Sequence, residues 1–492
     1  MVTVPKQESF LATGRGKLTL ALLCMVAFLD LVDASIVNVA LPSIRHDLHF
    51  SVQSLQWIPS GYLLTYGGFM LLGGRAADLL GRRRVLVAGT ALFALSSLAG
   101  GFANDAGVLI GARLAQGIGA AMMMPAALSI LTTSFAEGSD RNKALGAWGG
   151  TAGIASAFGV FFGGVLTEGP GWRWVLFVNP PICLIVLAGA FWLLAGERRE
   201  AALADFDARG ALLATGGMLL LVFALVQAPD IGWGATRTIA ELAGAFLILA
   251  VFVLNELRSS NPLLPLSIFR VRGLAAADAT QLIAVAGFLA MFFFLTLYMQ
   301  NVLGYSPIKT GAAYLPVCFG VAIAATISSQ LLARTGTRPL IVGGILIAAV
   351  GVYLLSRIPV GGSYVSDVLP GMVVMSVGLG VAFVAVTTAA NAGVRADQAG
   401  LAAALLNASQ QLGGALGLAI FSALATARTH DLLAAHTPLP NALDAGFQRA
   451  LVASSIFLLV AAVIALRTKN AHGEEHEDSE HPAGVQPAAA SR

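Results

Sequence analysis

Apolar residues run along this chain in long blocks separated by short polar breaks. A helix needs about 20 apolar residues to cross a bilayer. Read with that window, the sequence predicts spans near 18–41, 55–75, 84–103, 107–130, 144–166, 175–195, 210–228 and 239–256. Six more follow near 274–299, 309–332, 339–357, 368–391, 400–425 and 448–466, giving fourteen. The seventh and eighth form a pair joined by a turn at 229–237.

Composition agrees. Hydrophobic residues make up 57% of the 492 residues and charged residues only 11%, where a soluble domain carries about 25%. Such a surface needs lipid as its solvent. The first block follows Lys6, Arg15 and Lys17 as a signal peptide would. It runs on without a small-residue cleavage site, so it reads as a first helix that stays. Cys24, Cys183 and Cys318 lie far apart inside apolar runs and read as small core residues.

Net charge is only +3, but its placement gives orientation. With the N-terminus cytoplasmic, 20 of the 29 lysines and arginines fall in inside segments and 7 in outside segments, with Arg75 and Arg113 near or within helices. That asymmetry follows the positive-inside rule. It predicts a multi-pass protein of a bacterial inner membrane with both ends cytoplasmic.

The chain repeats itself weakly. After the second span comes Gly74-Arg-Ala-Ala-Asp78-Leu-Leu-Gly81-Arg82-Arg83-Arg84, and after the tenth Ser329-Gln-Leu-Leu-Ala333-Arg334-Thr-Gly336-Thr-Arg338. Two related halves explain the match and leave room between them for one extra helix pair. The organisation expected is a cytoplasmic segment 1–17, a six-helix bundle 18–195, a linker with two spans 196–273, a second six-helix bundle 274–466 and a disordered tail 467–492. The tail's His472, His476 and His481 read as solvated, and no metal site is expected.

Ionisable residues inside apolar spans are expensive and mark function by default. Asp30 and Asp33 sit three residues apart on one face of the first helix. Burial and mutual repulsion both favour their protonated forms, which suits proton uptake near neutral pH. Arg113 is the basic residue placed deep within a helix. Asp33 lies about 12 Å below the outer end of its span and Arg113 about 10 Å below the outer end of the fourth, so the two are expected to face each other. The competing reading is a static pair that holds two helices together. Asp78 with Arg82 and Arg83, at a helix junction with Gly74 and Gly81, reads as a conformational latch. Gly149, Gly153, Gly159 and Gly163 give small residues at four-residue spacing, which lets helices pack closely. Candidate cavity residues are Asn38, Tyr62, Gln116, Asp278, Gln281, Asn391, Asn407 and Gln410, with Trp57, Tyr62 and Tyr66 near an outer vestibule.

The chain resembles the major facilitator superfamily, in particular its fourteen-helix drug:proton antiporter branch, from about residue 20 to 466. The Gly74–Arg84 stretch resembles the family's loop between helices two and three, and Leu109-Ile-Gly-Ala-Arg113-Leu-Ala-Gln116-Gly117-Ile-Gly119 its fourth-helix arginine motif. Asp33-Ala-Ser-Ile-Val-Asn38-Val-Ala-Leu-Pro42, Trp172-Arg173-Trp174 with Asn179-Pro180, and the Tyr298–Pro307 segment are similar to branch-specific segments. The fifth-helix motif departs from the family: Val160 stands where a proline is usual, and Ala155 where another glycine is. The resemblance implies an all-α fold of two six-helix halves plus an inserted central pair, and a proton-transfer role at the Arg113 position. It also implies export of lipophilic, often cationic drugs, antibiotics or dyes by alternating access, driven by a proton gradient without a cofactor. A proton-coupled importer or facilitator of one metabolite is the alternative on the same fold. An enzyme is not expected, since no GxxxxGK, HExxH or paired Cys/His metal spacing is present. The expected partners are a small-molecule substrate, protons and lipid, with no nucleic acid and a functional monomer.

Overall fold

The computed structural model describes residues 10–135, 139–194, 207–259, 262, 264–271, 273–394 and 399–472. The first bundle comprises α1 (Gly14–Asp47), α2 (Trp57–Leu80), α3 (Arg82–Gly101), α4 (Ala106–Ser134), α5 (Ser139–Glu168) and α6 (Trp174–Leu193). The intervening pair is α7 (Ala208–Ile231) and α8 (Thr236–Arg258). The second bundle comprises α9 (Leu274–Asn301), α10 (Pro307–Thr335), α11 (Thr337–Leu355), α12 (Tyr364–Asn391), α13 (Ala399–Ala434) and α14 (Leu439–Ala465). All but α2 are long and apolar enough to span a membrane. Helix α2 is long enough at 24 residues; its polar side chains Ser60, Tyr62, Thr65 and Tyr66 are buried against protein.

Local chemistry starts several of these helices. Thr13, Asp105, Asp207 and Ser306 each accept a hydrogen bond from an amide three residues on, satisfying a first-turn donor of α1, α4, α7 and α10. Gly81 and Gly336 have φ of 98° and 77° and make the abrupt α2–α3 and α10–α11 turns, where a side chain would be strained. Helices α13 and α14 run past the apolar blocks that announced them, to Ala434 and from Leu439, because their polar turns stay helical beyond the hydrocarbon-length core.

An even number of spans brings both described chain ends to one face, here called terminal, opposite a distal face. Within the first bundle α3 and α2 pack on α4, and α1 packs on α5 and α6. Within the second, α12 packs on α10 and α11, and α9 on α13 and α14. The bundles meet through α5 with α10, α2 with α13 and α1 with α9. Helix α7 leans on both α2 and α13, while α8 packs mainly on α7.

The two bundles close distally and part towards the terminal face. On α5, a Cβ at Gly164 would lie 2.5 Å from the Pro307 carbonyl of α10, and one at Gly163 would lie 2.7 Å from the Ile36 carbonyl of α1. Gly146 precedes Gly164 by eighteen residues, five turns, and so shares its face. Yet a Cβ at Gly146, Gly149 or Gly150 would meet nothing within 4 Å among the described residues. Gly149 therefore does not pack a neighbour as its spacing suggested: its half of α5 borders open space in this conformation. Gly153 lies on α5, its surroundings outside the described residues.

The expected tail also needs correcting at its start. Thr337 donates its backbone N–H to the Ala471 carbonyl at 2.9 Å, and the Asn470 side chain accepts from the Arg338 amide at 2.9 Å. Residues 468–471 thus strap across the α10–α11 turn, where polar side chains find backbone partners. His476, His481 and the rest of the tail lie outside the described residues.

Candidate functional site

Helix α1 brings Asp30 and Asp33 into the first bundle one turn apart, 4% and 0% exposed. Arg113 enters from α4 and is 1% exposed. Its Nη1 donates to Asp33 Oδ2 at 2.6 Å and to Gln116 Oε1 at 2.7 Å, while its Nε donates to the Ile58 carbonyl at 3.2 Å. Gln116, one turn along α4, turns its Nε2 to Asp33 Oδ1 at 2.8 Å. Asn179 of α6 donates to the same oxygen at 2.6 Å and to Ser97 Oγ of α3 at 2.9 Å. Asp33 thus receives three donors from two other helices.

Asp30 is held differently. Tyr62 and Tyr66, one turn apart on α2, donate their hydroxyls to its two oxygens at 2.6 and 3.1 Å. The face of Tyr62 also lies against the Arg113 guanidinium, 4.3 Å from its carbon to the ring centroid. Burying an ion pair costs several kcal/mol per ion and is tolerated only when further hydrogen bonds satisfy both partners. Here Gln116, Asn179 and the Ile58 carbonyl supply them. A proton added to Asp33 would cancel the charge that holds Arg113, loosening α1 from α4.

Several expected cavity residues belong to this network instead. Tyr62 and Gln116 are buried in it, and Tyr66 with Tyr62 binds Asp30 rather than lining an outer vestibule, because their polar groups complete the carboxylate's bonds. Trp57 is half-buried against Phe223 of α7. Asn38 is half-buried, its amide donating to the Ala34 carbonyl. In the second bundle Gln281 donates to Gln410 at 3.3 Å across α9 and α13. Asp278 is 6% exposed with neither oxygen hydrogen-bonded. Asn407 bonds back to the Ala403 carbonyl. Asn391 is apart from these, exposed at the terminal end of α12 and bonded to Thr387; the helix stops there, so the side chain caps its own last turn. Asn179 and Ser97 went unnoticed as site residues, although a polar side chain within an apolar run was the available signal.

At the α2–α3 turn, Arg83 Nη2 donates to the Phe191 carbonyl at the end of α6, 3.3 Å away. Its repeat counterpart Arg338 donates through Nε and Nη2 to the Thr468 carbonyl just beyond α14, at 3.0 and 2.7 Å. Each arginine thus ties its turn to the end of the sixth helix of its own bundle, supplying carbonyls that have no helical donor. Gly74 packs ordinarily on Pro125. Asp78 lies in the last turn of α2, its side chain outside the described residues.

Residues 23–418 match the Major Facilitator Superfamily. The chain belongs to that family. As a major facilitator, it is a transporter embedded in the membrane and acting on small molecules. Relatives include a puromycin resistance protein of Streptomyces alboniger, 39% identical over 91% of this chain and 90% of the relative. A cephamycin export protein of Amycolatopsis lactamdurans is 37% identical over 92% of each chain. A tetracenomycin C resistance and export protein of Streptomyces glaucescens is 34% identical over 85% of this chain and 78% of the relative. Among solved structures, an inward-facing, unoccupied bacterial homolog of the human lysosomal transporter Spinster shares the fold, with a TM-score of 0.63 and 17% identity over 92% of this chain and 97% of that one.

Proposed function

We propose that this major facilitator exports small lipophilic or cationic organic compounds, antibiotics among them, in exchange for protons by alternating access. The relatives' resistance and export names support the cargo class. The observation that carries the coupling is the fully buried Asp33–Arg113 pair at 2.6 Å, in a molecule open towards its terminal face. The basic residues gathered on that face support reading it as the cytoplasmic side of a bacterial inner membrane. The arrangement then corresponds to the stage after a proton has left for the cytoplasm: the carboxylate is charged, Arg113 holds it, and the opened cleft receives cargo. Proton entry from the far side would break the pair and release α1 and α4 to rearrange. The proton gradient supplies the energy, no cofactor takes part, and one chain carries both bundles and works alone.

Everted membrane vesicles energised by a pH gradient, with ethidium as cargo, test this. Wild type should accumulate dye and partly collapse the gradient. Asp33→Asn should lose both, whereas Asp30→Asn should keep gradient-linked dye movement in reduced amount. Dye movement by Asp33→Asn with unchanged proton consumption would remove the pair from the coupling step.

A further inference from the structure

The Tyr298–Pro307 segment stands out in the sequence but takes no part in the coupling network. It forms the distal turn from α9 into α10. The Tyr305 amide donates to the Met299 carbonyl at 2.9 Å, and the Tyr298 hydroxyl to the Pro359 carbonyl at 2.7 Å. From this turn two bonds run to the other bundle. Gln300, half-buried near the end of α9, donates its amide to the Val39 carbonyl of α1 at 2.9 Å. Glu168, exposed at the end of α5, accepts from the Ile308 amide in the first turn of α10 at 3.1 Å.

The start of α10 shows what the second bond does. A helix leaves its first amides without an internal acceptor. Pro307 has no amide hydrogen. The Lys309 amide is taken by the Ser306 hydroxyl at 3.4 Å and the Thr310 amide by the Ser306 carbonyl at 2.9 Å. The Ile308 amide remains, and its acceptor belongs to the first bundle. A carboxylate placed there also meets the positive end of the helix dipole. The neighbouring Lys309 ammonium lies over the Tyr305 ring, 3.6 Å from its centroid. Beside these contacts the backbones come close: a Cβ at Gly311 of α10 would collide with the Val160 carbonyl of α5. Each bundle thus sends one side chain to the backbone of the other, on the side where the molecule is shut. Neither bond survives if α5 parts from α10 and α1 from α9.

We infer that Glu168 and Gln300 are the distal latch of the transport cycle, two positioning residues that hold the outer side closed while the cleft is open to the terminal face. The assignment rests on the alternating-access reading above. It gives the Tyr298–Pro307 segment its task, which is to present one amide side chain to α1 and one backbone amide to α5.

The test uses the full chain with Cys24, Cys183 and Cys318 replaced by alanine. Asn104→Cys and Gly361→Cys carry spin labels at exposed positions in distal turns of the two bundles. Pulsed electron–electron resonance in lipid nanodiscs reads the distance between them. Wild type at neutral pH should show mainly the shorter, closed distance. Glu168→Ala and Gln300→Leu should each raise the longer-distance population about fivefold relative to the shorter, the worth of one ordinary hydrogen bond. The double variant should raise it further. Glu168→Gln keeps an acceptor oxygen and should stay nearer to wild type than Glu168→Ala, which separates the bond from a general loss of packing. A double variant with the wild-type distribution overturns the latch. Should wild type nevertheless open distally in mildly acidic buffer, alternating access stands without it. A distance fixed in every variant and buffer sinks both.

Discussion

The guanidinium of Arg113 lies against the ring of Tyr62, and the hydroxyl of that tyrosine reaches Asp30. One side chain therefore touches both acidic positions of α1, Asp30 directly and Asp33 through the arginine. The two carboxylates are parts of a single cluster, not independent groups that share a helix.

Tyr62→Phe should separate the two contacts. It keeps the ring beneath Arg113 and loses the Asp30 bond, at a cost of about 1–3 kcal/mol. Tyr62→Leu should lose a further amount of about 2 kcal/mol with the desolvated cation–π contact. Thermal unfolding in detergent should rank wild type, Tyr62→Phe and Tyr62→Leu in that order. Coincident midpoints for the two variants would mean that the ring contributes nothing to holding Arg113.

Breaking the ion pair from either side should be costly, and breaking it from both sides less so. Arg113→Met leaves Asp33 charged and buried, which costs about 3–5 kcal/mol. Pairing it with Asp33→Asn removes the uncompensated charge and should restore much of the stability. Vesicle transport should stay absent in the double variant. Recovered stability together with recovered dye transport would reduce the pair to a structural clasp.

The split behaviour of the α5 stripe predicts two phenotypes. A valine at Gly163 meets the Ile36 backbone and should cost about 1–3 kcal/mol through overpacking, seen as less protein in the membrane. A valine at Gly149 meets open space, so amount and unfolding midpoint should match wild type. Transport by Gly149→Val should nevertheless fall, because the same stripe has to close on a neighbour when the cleft opens on the other side. Wild-type transport by Gly149→Val would show that this half of α5 never closes.

The strap over the α10–α11 turn sets a boundary for truncation. Ending the chain after His472 keeps the bonds that residues 468–471 make with Thr337 and Arg338 and should leave the unfolding midpoint unchanged. Ending it after Arg467 removes the partners of Thr337 and Arg338, each bond worth about 1 kcal/mol. The midpoint should then drop clearly, and Arg338→Ala should reproduce part of the fall.

The spans were legible because bilayer thickness imposes one length on every helix, and Asp30, Asp33 and Arg113 because charge in an apolar run is conspicuous. Counting turns from the helix ends brought Asp33 and Arg113 to one depth, and there the structure joins them. The site roles of Asn179 and Ser97 were not legible because small neutral polar residues are common in spans as helix–helix contacts; only folding shows which of them reach a carboxylate or its partners. Gly149 misled for another reason. Its spacing describes a surface made for close packing, but a sequence does not say in which conformation that surface is covered.

Helix α7 bears on how hydrophobic cargo reaches the cleft. The bundles adjoin along two seams, α2 against α13 and α5 against α10. Helix α7 roofs the first, with Thr215 set against Gly68 and Phe223 against Trp57. Among the described helices, none roofs the second in this way. The inserted pair therefore breaks the lateral symmetry of the molecule: a compound moving sideways out of the leaflet would meet a third helix over one seam and, among the described helices, none over the other.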